Sequence, residues 1–128
     1  MSKLLWVCLG GALGSGARYL VGLGAARIWG EELPLGTLAA NVIGCLLMGV
    51  LTAYATERPE LSPELRAALG AGVLGGLTTY SAFNQQILDL WSSGAQRSAA
   101  GYALVTAIFC VAAGLLGMAL AKQLGVAR

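Results

Sequence analysis

Four long stretches with almost no charged side chains dominate this sequence and constrain its fold. They are residues 4–26, where Arg18 is the sole charge, and the uncharged residues 33–56, 67–88 and 98–121. About 20 consecutive apolar residues are enough for a helix to cross the hydrocarbon core of a bilayer. Only 11% of the 128 residues are charged, under half of the roughly 25% usual in soluble domains. The sequence therefore predicts an all-α membrane protein with four transmembrane helices, forming a single integral membrane domain over residues 1–128.

The third stretch has a centre that is unfavourable for a continuous helix. A glycine pair, Gly75 and Gly76, is followed by a run of hydroxyl side chains at Thr78, Thr79, Tyr80 and Ser81. Glycine loosens a helix through backbone entropy, and Ser and Thr compete for its backbone hydrogen bonds. In lipid a broken helix is tolerated only against protein or a polar cavity. We therefore predict a third helix that is broken at its centre and exposes backbone or hydroxyl groups to something that crosses the membrane.

Composition argues against several classes of function. The chain has no histidine, which removes the commonest general base, metal ligand and proton relay. With no nucleophile–base pair visible, we do not expect an enzyme. The net charge of +2 is small and no basic cluster is present, so nucleic acid is not an expected partner. The cysteines are spread one per span without metal-ligand spacing.

Loop charges define the orientation in the membrane only weakly. One side carries Lys3, Arg58, Arg66, Lys122 and Arg128, and the other carries Arg27 and Arg97. The positive-inside rule mildly favours cytoplasmic termini. The bias is small enough that insertion both ways up in the cell's inner or plasma membrane is compatible with the sequence.

Three of the predicted spans carry small sets of polar side chains. The sets are Thr37 and Asn41 on the second span, Thr79, Tyr80 and Ser81 on the third, and Tyr102, Thr106 and Cys110 on the fourth. In the second and fourth spans the members are four residues apart, which places them on one helix face. Each set alone is typical of hydrogen bonding between membrane helices, whereas polar groups on three helices are also typical of a pathway. Both interpretations stay open from these residues alone.

The polar sets are rich in hydrogen-bond donors and lack carboxylates. All six acidic residues lie in or beside predicted loops, so none is placed at membrane depth to bind a cation or relay a proton. The Asn41 amide and the hydroxyls donate hydrogen bonds, and aromatic ring edges carry the positive end of a quadrupole. A lining without fixed cations also binds an ion weakly enough to release it. A conduit built from these groups suits a small anion.

Three segments of the chain resemble the signature segments of the Fluc (CrcB) fluoride channels. They are residues 10–19 (GGALGSGARY), 36–44 (GTLAANVIG) and 72–83 (GVLGGLTTYSAF). Any one of them would be a weak signal, but three in order at this spacing are specific. The resemblance covers essentially the whole chain, including its four-helix layout.

This resemblance implies an antiparallel homodimer of dual topology, with two pores for passive, fluoride-selective export from the cytoplasm. Pore positions of the family correspond to Asn41, Tyr80 and Phe83, and polar-track positions to Thr37, Ser81, Tyr102, Thr106 and Cys110. Thr79, from the third polar set, completes the predicted fluoride pathway. The resemblance also implies a central sodium ion (Na+), held by the backbone carbonyls of Gly75 and Thr78 from both subunits. Fluoride, membrane lipid and a second copy are thus the expected partners.

Arg18 has two interpretations from the sequence. A lone arginine late in the first span can extend to the interface or cap a neighbouring helix end. It can also raise the anion concentration in a pore vestibule. The structural role is the one we favour.

The chain departs from the family pattern at four positions. Tyr80 and Ala82 stand where the family has Phe and Thr, Gln86 stands where a glutamate is frequent, and Cys110 replaces a usual serine. These departures leave open a paralogue that conducts only as a heterodimer with a second subunit. A non-conducting assembly subunit, in which the polar sets only hold helices together, is a further alternative. A small proton-coupled exporter would need an intramembrane carboxylate.

Overall fold

Over its described ranges, residues 2–30 and 33–125, the protein is a bundle of five helices in a computed structural model. They are α1 (Ser2–Trp29), α2 (Leu35–Glu57), α3 (residues 63–77), α4 (Tyr80–Ser92) and α5 (Gln96–Gln123). The same ranges contain no strand, which confirms the predicted all-α class. Three charges used above, Glu31, Glu32 and Arg128, lie outside the described residues.

The five helices follow the four predicted spans in order, with two helices in the third span. Helices α1, α2 and α5 are each long and apolar enough to cross a membrane. Helices α3 and α4 occupy the third predicted span and are separated by two extended residues. The chain is therefore a multi-pass membrane protein. Most helix ends lie a few residues beyond the predicted spans, because charged residues such as Arg27 and Glu57 are still helical, whereas α2 begins at Leu35, inside its span.

Helix α3 changes its winding along its length. Pro63–Ala67 is α-helical, Ala68–Leu74 is π-helical, and Gly75–Leu77 returns to α geometry. Its start follows the sequence, because the Ser62 hydroxyl accepts a hydrogen bond from Leu65 N at 3.2 Å and a proline occupies the first turn. Segments of π-helix are rare in proteins, and those that do occur are often found at functional sites.

Glycines allow these helices to approach backbone to backbone. An ideal Cβ on Gly10 would lie 2.5 Å from Ala68 O, and one on Gly76 would lie 2.6 Å from Gly11 O, so α1 and α3 leave no room for a side chain. Between α2 and α5, a Cβ on Gly117 would collide with the Leu46 carbonyl. Small residues at such crossings provide the van der Waals contact that joins helices in lipid.

The buried side chains are small and place the break in the third span against α2. Ala40, Leu74 and Leu77 form one buried cluster, with Val21 and Leu51 packed against it. This cluster ties the end of α3 to the middle of α2. Asn41, the neighbour of Ala40, is thereby brought to the point where α3 ends.

Candidate functional site

The third span breaks at two threonines. Helix α3 ends at Leu77, Thr78 (φ −83°, ψ 152°) and Thr79 (φ −150°, ψ 124°) are extended, and α4 begins at Tyr80. The prediction of a helix broken at its centre is confirmed, but Gly75 is itself helical (φ −65°, ψ −34°). The adjacent glycine, Gly76, is a contact surface for α1, and the hydroxyl residues carry the change of backbone direction.

Threonine side chains hydrogen-bond to the backbone at both helix ends of this break. The Thr78 hydroxyl donates to Leu74 O at 2.9 Å, in the last turn of α3. The Thr79 hydroxyl accepts from Ala82 N at 3.2 Å and so caps the start of α4. It also pairs with the Ser81 hydroxyl at 3.2 Å. The break is thus a capped, ordered feature.

Asn41 holds the extended backbone from the neighbouring helix. Its Oδ1 accepts from Thr79 N at 2.7 Å, and its Nδ2 donates to Thr79 O at 3.1 Å. The Asn41 side chain is buried, at 7% exposure. Both backbone groups of Thr79, which a continuous helix would have satisfied, are therefore satisfied by one amide.

The break removes the usual helical donors from the backbone carbonyls of residues 75–78, and Gly75 O and Thr78 O are two of these four. In a continuous helix these two would accept from Thr79 N and Ala82 N. Those donors are engaged with Asn41 and with the Thr79 hydroxyl instead. These two carbonyls are the positions at which the family resemblance implies sodium. Freed carbonyl oxygens beside a helix break are suitable ligands for a small hard cation, so the residues present fit the ion.

Arg18 contacts the same stretch from the other side. Its Nε donates to Gly76 O at 3.1 Å, which supports the structural interpretation. The side chain also lines a cavity of about 540 Å³ with Ser15, Tyr19 and Thr37. The vestibule interpretation therefore stays a prediction.

A groove between α2, α4 and α5 collects most of the predicted pathway. It has a volume of about 370 Å³. Its walls include Asn41, Thr78, Thr79, Tyr80, Phe83, Thr106 and Cys110. The lining thus joins members of all three polar sets, which the sequence could only place on separate helices.

Thr106 is the unusual member of this groove. Its hydroxyl is buried, and among the described residues it has no hydrogen-bond partner. Buried polar groups are nearly always paired, so an unpaired one calls for an explanation. Because Thr106 also lines the groove, its hydroxyl is a candidate donor to a ligand there.

Two of the remaining predicted residues, Thr37 and Tyr102, form a second cluster next to the groove, whereas Ser81 stays at the break with Thr79. Gln86 Nε2 donates to the Thr37 hydroxyl at 2.8 Å, and the Tyr102 hydroxyl donates to Gln86 Oε1 at 2.8 Å. The Phe83 ring lies between two other rings, with its centroid 5.6 Å from that of Tyr80 and 5.4 Å from that of Tyr102. Phe83 therefore connects this cluster to the groove.

Sequence reasoning missed three polar residues of α4. Gln86 was noted only as a departure from the family pattern, yet it links Thr37 to Tyr102. Asn84 and Gln85 are exposed in the single chain. The available signal was the polar run Asn84-Gln85-Gln86 inside a predicted span, where an amide needs a hydrogen-bond partner.

Comparison with known proteins places the chain in a family. The family described as "CrcB-like protein, Camphor Resistance (CrcB)" matches residues 5–118. A relative from Anaeromyxobacter dehalogenans named "Fluoride-specific ion channel FluC" is 48% identical over 125 residues, covering 97% of this chain and 98% of the relative. Relatives of the same name from Sorangium cellulosum and Caulobacter vibrioides are 41% and 42% identical, over 97% and 96% of this chain. The chain therefore belongs to the CrcB-like family, whose curated relatives are named as ion channels and not as enzymes.

Proposed function

We propose that this chain is the subunit of a passive, fluoride-selective channel in the cell's inner or plasma membrane. It exports cytoplasmic fluoride through two pores of an antiparallel dimer. The names of the relatives support the transported ion. The observation that carries the proposal for this chain is the unpartnered Thr106 hydroxyl, which lines the same groove as the Asn41 amide.

Hydrogen-bond donors along the groove would replace the water around a fluoride ion. The Thr106 hydroxyl has its hydrogen free of other described partners. The Asn41 amide nitrogen carries two hydrogens, of which Thr79 O takes one. Hydrogen bonds to a charged group are worth about 1.5–3 kcal/mol each, so two or three donors hold the anion without trapping it.

The cluster around Gln86 would connect the groove to water. Thr37 lines the Arg18 cavity and is joined through Gln86 to Tyr102. The ring of Phe83 continues from Tyr102 to the groove. The proposed path from the Arg18 cavity to Asn41 therefore follows the hydroxyl, amide and aromatic side chains of Thr37, Gln86, Tyr102 and Phe83. The positive charge of Arg18 at its wide end would favour anion entry.

The exposed polar face of α4 supports the dimer. In the single chain Tyr80 is 79% exposed, and Ser81, Asn84 and Gln85 are exposed beside it. Lipid offers no hydrogen bonds to such groups. A second copy packed against this face would cover them and would bring its own Tyr80 and Phe83 close to the pathway.

The freed carbonyls of Gly75 and Thr78 support a structural sodium ion at the dimer centre. Two carbonyls from each subunit would provide a set of neutral oxygen ligands of the kind that coordinates sodium in membrane proteins. When bound, the ion supplies a positive charge that offsets the helix-end dipoles. The chain's own contribution is that Asn41 engages Thr79 N and the Thr79 hydroxyl engages Ala82 N, which leaves both carbonyls without their helical donors.

Fluoride release from liposomes that contain only this purified chain tests the proposal. A fluoride electrode follows efflux, and a chloride electrode follows a matched chloride-loaded sample. Rapid fluoride release without chloride release is expected. Equal release of chloride would overturn selectivity. Folded dimers that release no fluoride would overturn the homodimer and favour the paralogue that needs a second subunit.

A further inference from the structure

Three sulfur-containing residues line the groove, and only one of them, Cys110, belongs to the proposed pathway. Adjacent to the groove is a second cavity of about 380 Å³ between α2 and α5. The residues that line both cavities are Cys45, Met48 and Cys110. Every residue shared by the two cavities therefore carries sulfur.

The crossing of α2 and α5 places the two thiols on the walls of the same two cavities. An ideal Cβ on Gly114, one turn beyond Cys110, would lie 3.6 Å from Cys45 O. Cys45 on α2 and Cys110 on α5 both line the groove and the second cavity. Both are half-buried, and Met48 follows Cys45 by three residues on the same face of α2. The three sulfur-containing side chains thus come from two helices whose separation is fixed by glycine contacts.

We propose that Cys45 and Cys110, assisted by Met48, form a binding site for one soft monovalent metal ion of the Cu(I) or Ag(I) class. Thiolate and thioether sulfur select such ions over Na+ or Mg²⁺. One thiol loses its proton to water as the metal–sulfur bond forms, and the other thiol and the thioether bind as neutral donors. The bound complex is then uncharged, which suits a site at membrane depth where a net charge is costly.

An occupied site would obstruct the groove, because Cys110 lies in its wall with Asn41 and Thr106. This consequence rests on the proposed function, whereas the binding site itself does not. The two are separated by measuring metal retention and fluoride release independently.

Silver retention by the purified dimer tests the site. The protein is loaded with silver nitrate in a chloride-free buffer, washed with an excess of a monothiol, and analysed for silver per chain. We expect about one retained ion per chain, since a chelate with two cysteines and a thioether resists a competing single thiol. Cys45→Ser and Cys110→Ser should each lose it, and Met48→Leu should weaken retention about tenfold.

Two matched variants serve as controls. Cys8→Ser removes an exposed thiol on α1, and Met118→Leu removes a thioether that lines the second cavity only. Both should retain silver like the native chain. Retention that survives in both Cys45→Ser and Cys110→Ser, or its absence from the native chain, would overturn the site. Conservative Ser and Leu replacements keep side-chain size, and retained dimers by size-exclusion chromatography confirm folding.

Fluoride release is then measured in nitrate medium with and without silver. Silver should block release through the native chain and Cys8→Ser but not through Cys45→Ser, which lacks one of the metal ligands and does not change a predicted pathway residue. Silver that is retained without any block would overturn the placement of the site beside the pathway. A native chain that retains silver but releases no fluoride in its absence would contradict the proposed function and leave the site supported.

Discussion

Asn41 replaces, with one side chain, both hydrogen bonds that the backbone of Thr79 loses where the third span breaks. The two distances, 2.7 Å to Oδ1 and 3.1 Å from Nδ2, show an amide paired with a peptide group. This pairing allows an extended residue to exist at membrane depth, where an unpaired peptide group is costly. It also fixes Asn41 in the wall of the groove, with one amide hydrogen left over.

Replacing Asn41 by alanine should abolish fluoride release and lower stability. Loss of the amide leaves Thr79 N and O unpaired in a buried position, which costs about 1–3 kcal/mol for each unsatisfied group. Release from liposomes and thermal unfolding in detergent measure the two effects. Thr56→Ala is the matched control, because the Thr56 hydroxyl bonds only to Thr52 O in its own helix. Full release from intact Asn41→Ala dimers would refute the pathway, while altered assembly alone would favour the non-conducting subunit.

Thr106→Val should lower fluoride release without lowering thermal stability. Valine has nearly the shape of threonine, and the hydroxyl it removes makes no hydrogen bond with described residues. We therefore expect unchanged or slightly higher thermal stability. Fluoride release should fall about tenfold, since one hydrogen bond to a charged ligand is worth about 1.5–3 kcal/mol.

The control for this substitution is Thr52→Val on α2. The Thr52 hydroxyl is exposed and donates to Met48 O in its own helix. That variant should leave fluoride release unchanged. Equal release from Thr106→Val and the native chain would show that the buried hydroxyl does not contact the ion.

Much of the fold could be predicted because charge and helix-end residues act locally. The positions of charged residues predict the four spans, and the Ser62 cap with Pro63 in the first turn of α3 is a local signal of the same kind. The break was expected from the right residues for a partly wrong reason. Glycine was expected to loosen the helix, but Gly75 and Gly76 are both helical. The two threonines leave the helix instead, because their hydroxyls cap both new helix ends.

Contacts between helices could not be predicted, because helical spacing defines a face but not its neighbour. Gln86 lies 49 residues from Thr37 in the sequence, and nothing in either segment indicates that their side chains meet. The same limit applies to Cys45 and Cys110. Each was assigned to a separate span, and their proximity depends on the close crossing of α2 and α5.

Gln86 on α4 hydrogen-bonds both Thr37 on α2 and Tyr102 on α5, and removing this bridge should reduce fluoride release because α2 and α5 are then no longer linked through it. Gln86→Leu leaves the Thr37 and Tyr102 hydroxyls without their 2.8 Å partner. We expect a reduction of about tenfold, corresponding to about 1.4 kcal/mol. Thr37→Val alone should give part of this loss. In the double variant the losses should not add, because contacting residues show interaction energies of about 0.5–3 kcal/mol. Strict additivity would show that the bridge plays no part in release.

Gly44→Ala should damage the break by steric contact alone. A Cβ at this position would overlap the methyl group of Thr78. Overpacking of this kind costs about 1–3 kcal/mol, and moving Thr78 would also displace its carbonyl. Gly101→Ala is the control, since no atom lies within 4 Å of its Cβ position. Thermal unfolding should show a loss for Gly44→Ala and none for Gly101→Ala. A native-like unfolding temperature for both would mean that Thr78 moves freely.

Sodium should stabilise the dimer in proportion to the logarithm of its concentration. Gly75 O and Thr78 O lack their usual helical donors, since Thr79 N and Ala82 N are engaged elsewhere. An ion that binds the folded dimer and not the unfolded chain adds about 1.4 kcal/mol per site for each tenfold rise above its Kd. Unfolding temperatures measured across a sodium series at constant ionic strength, balanced with potassium, report this effect. Gly44→Ala, which moves Thr78, should flatten the dependence on sodium. Identical unfolding temperatures in sodium and potassium would show that the freed carbonyls hold no sodium.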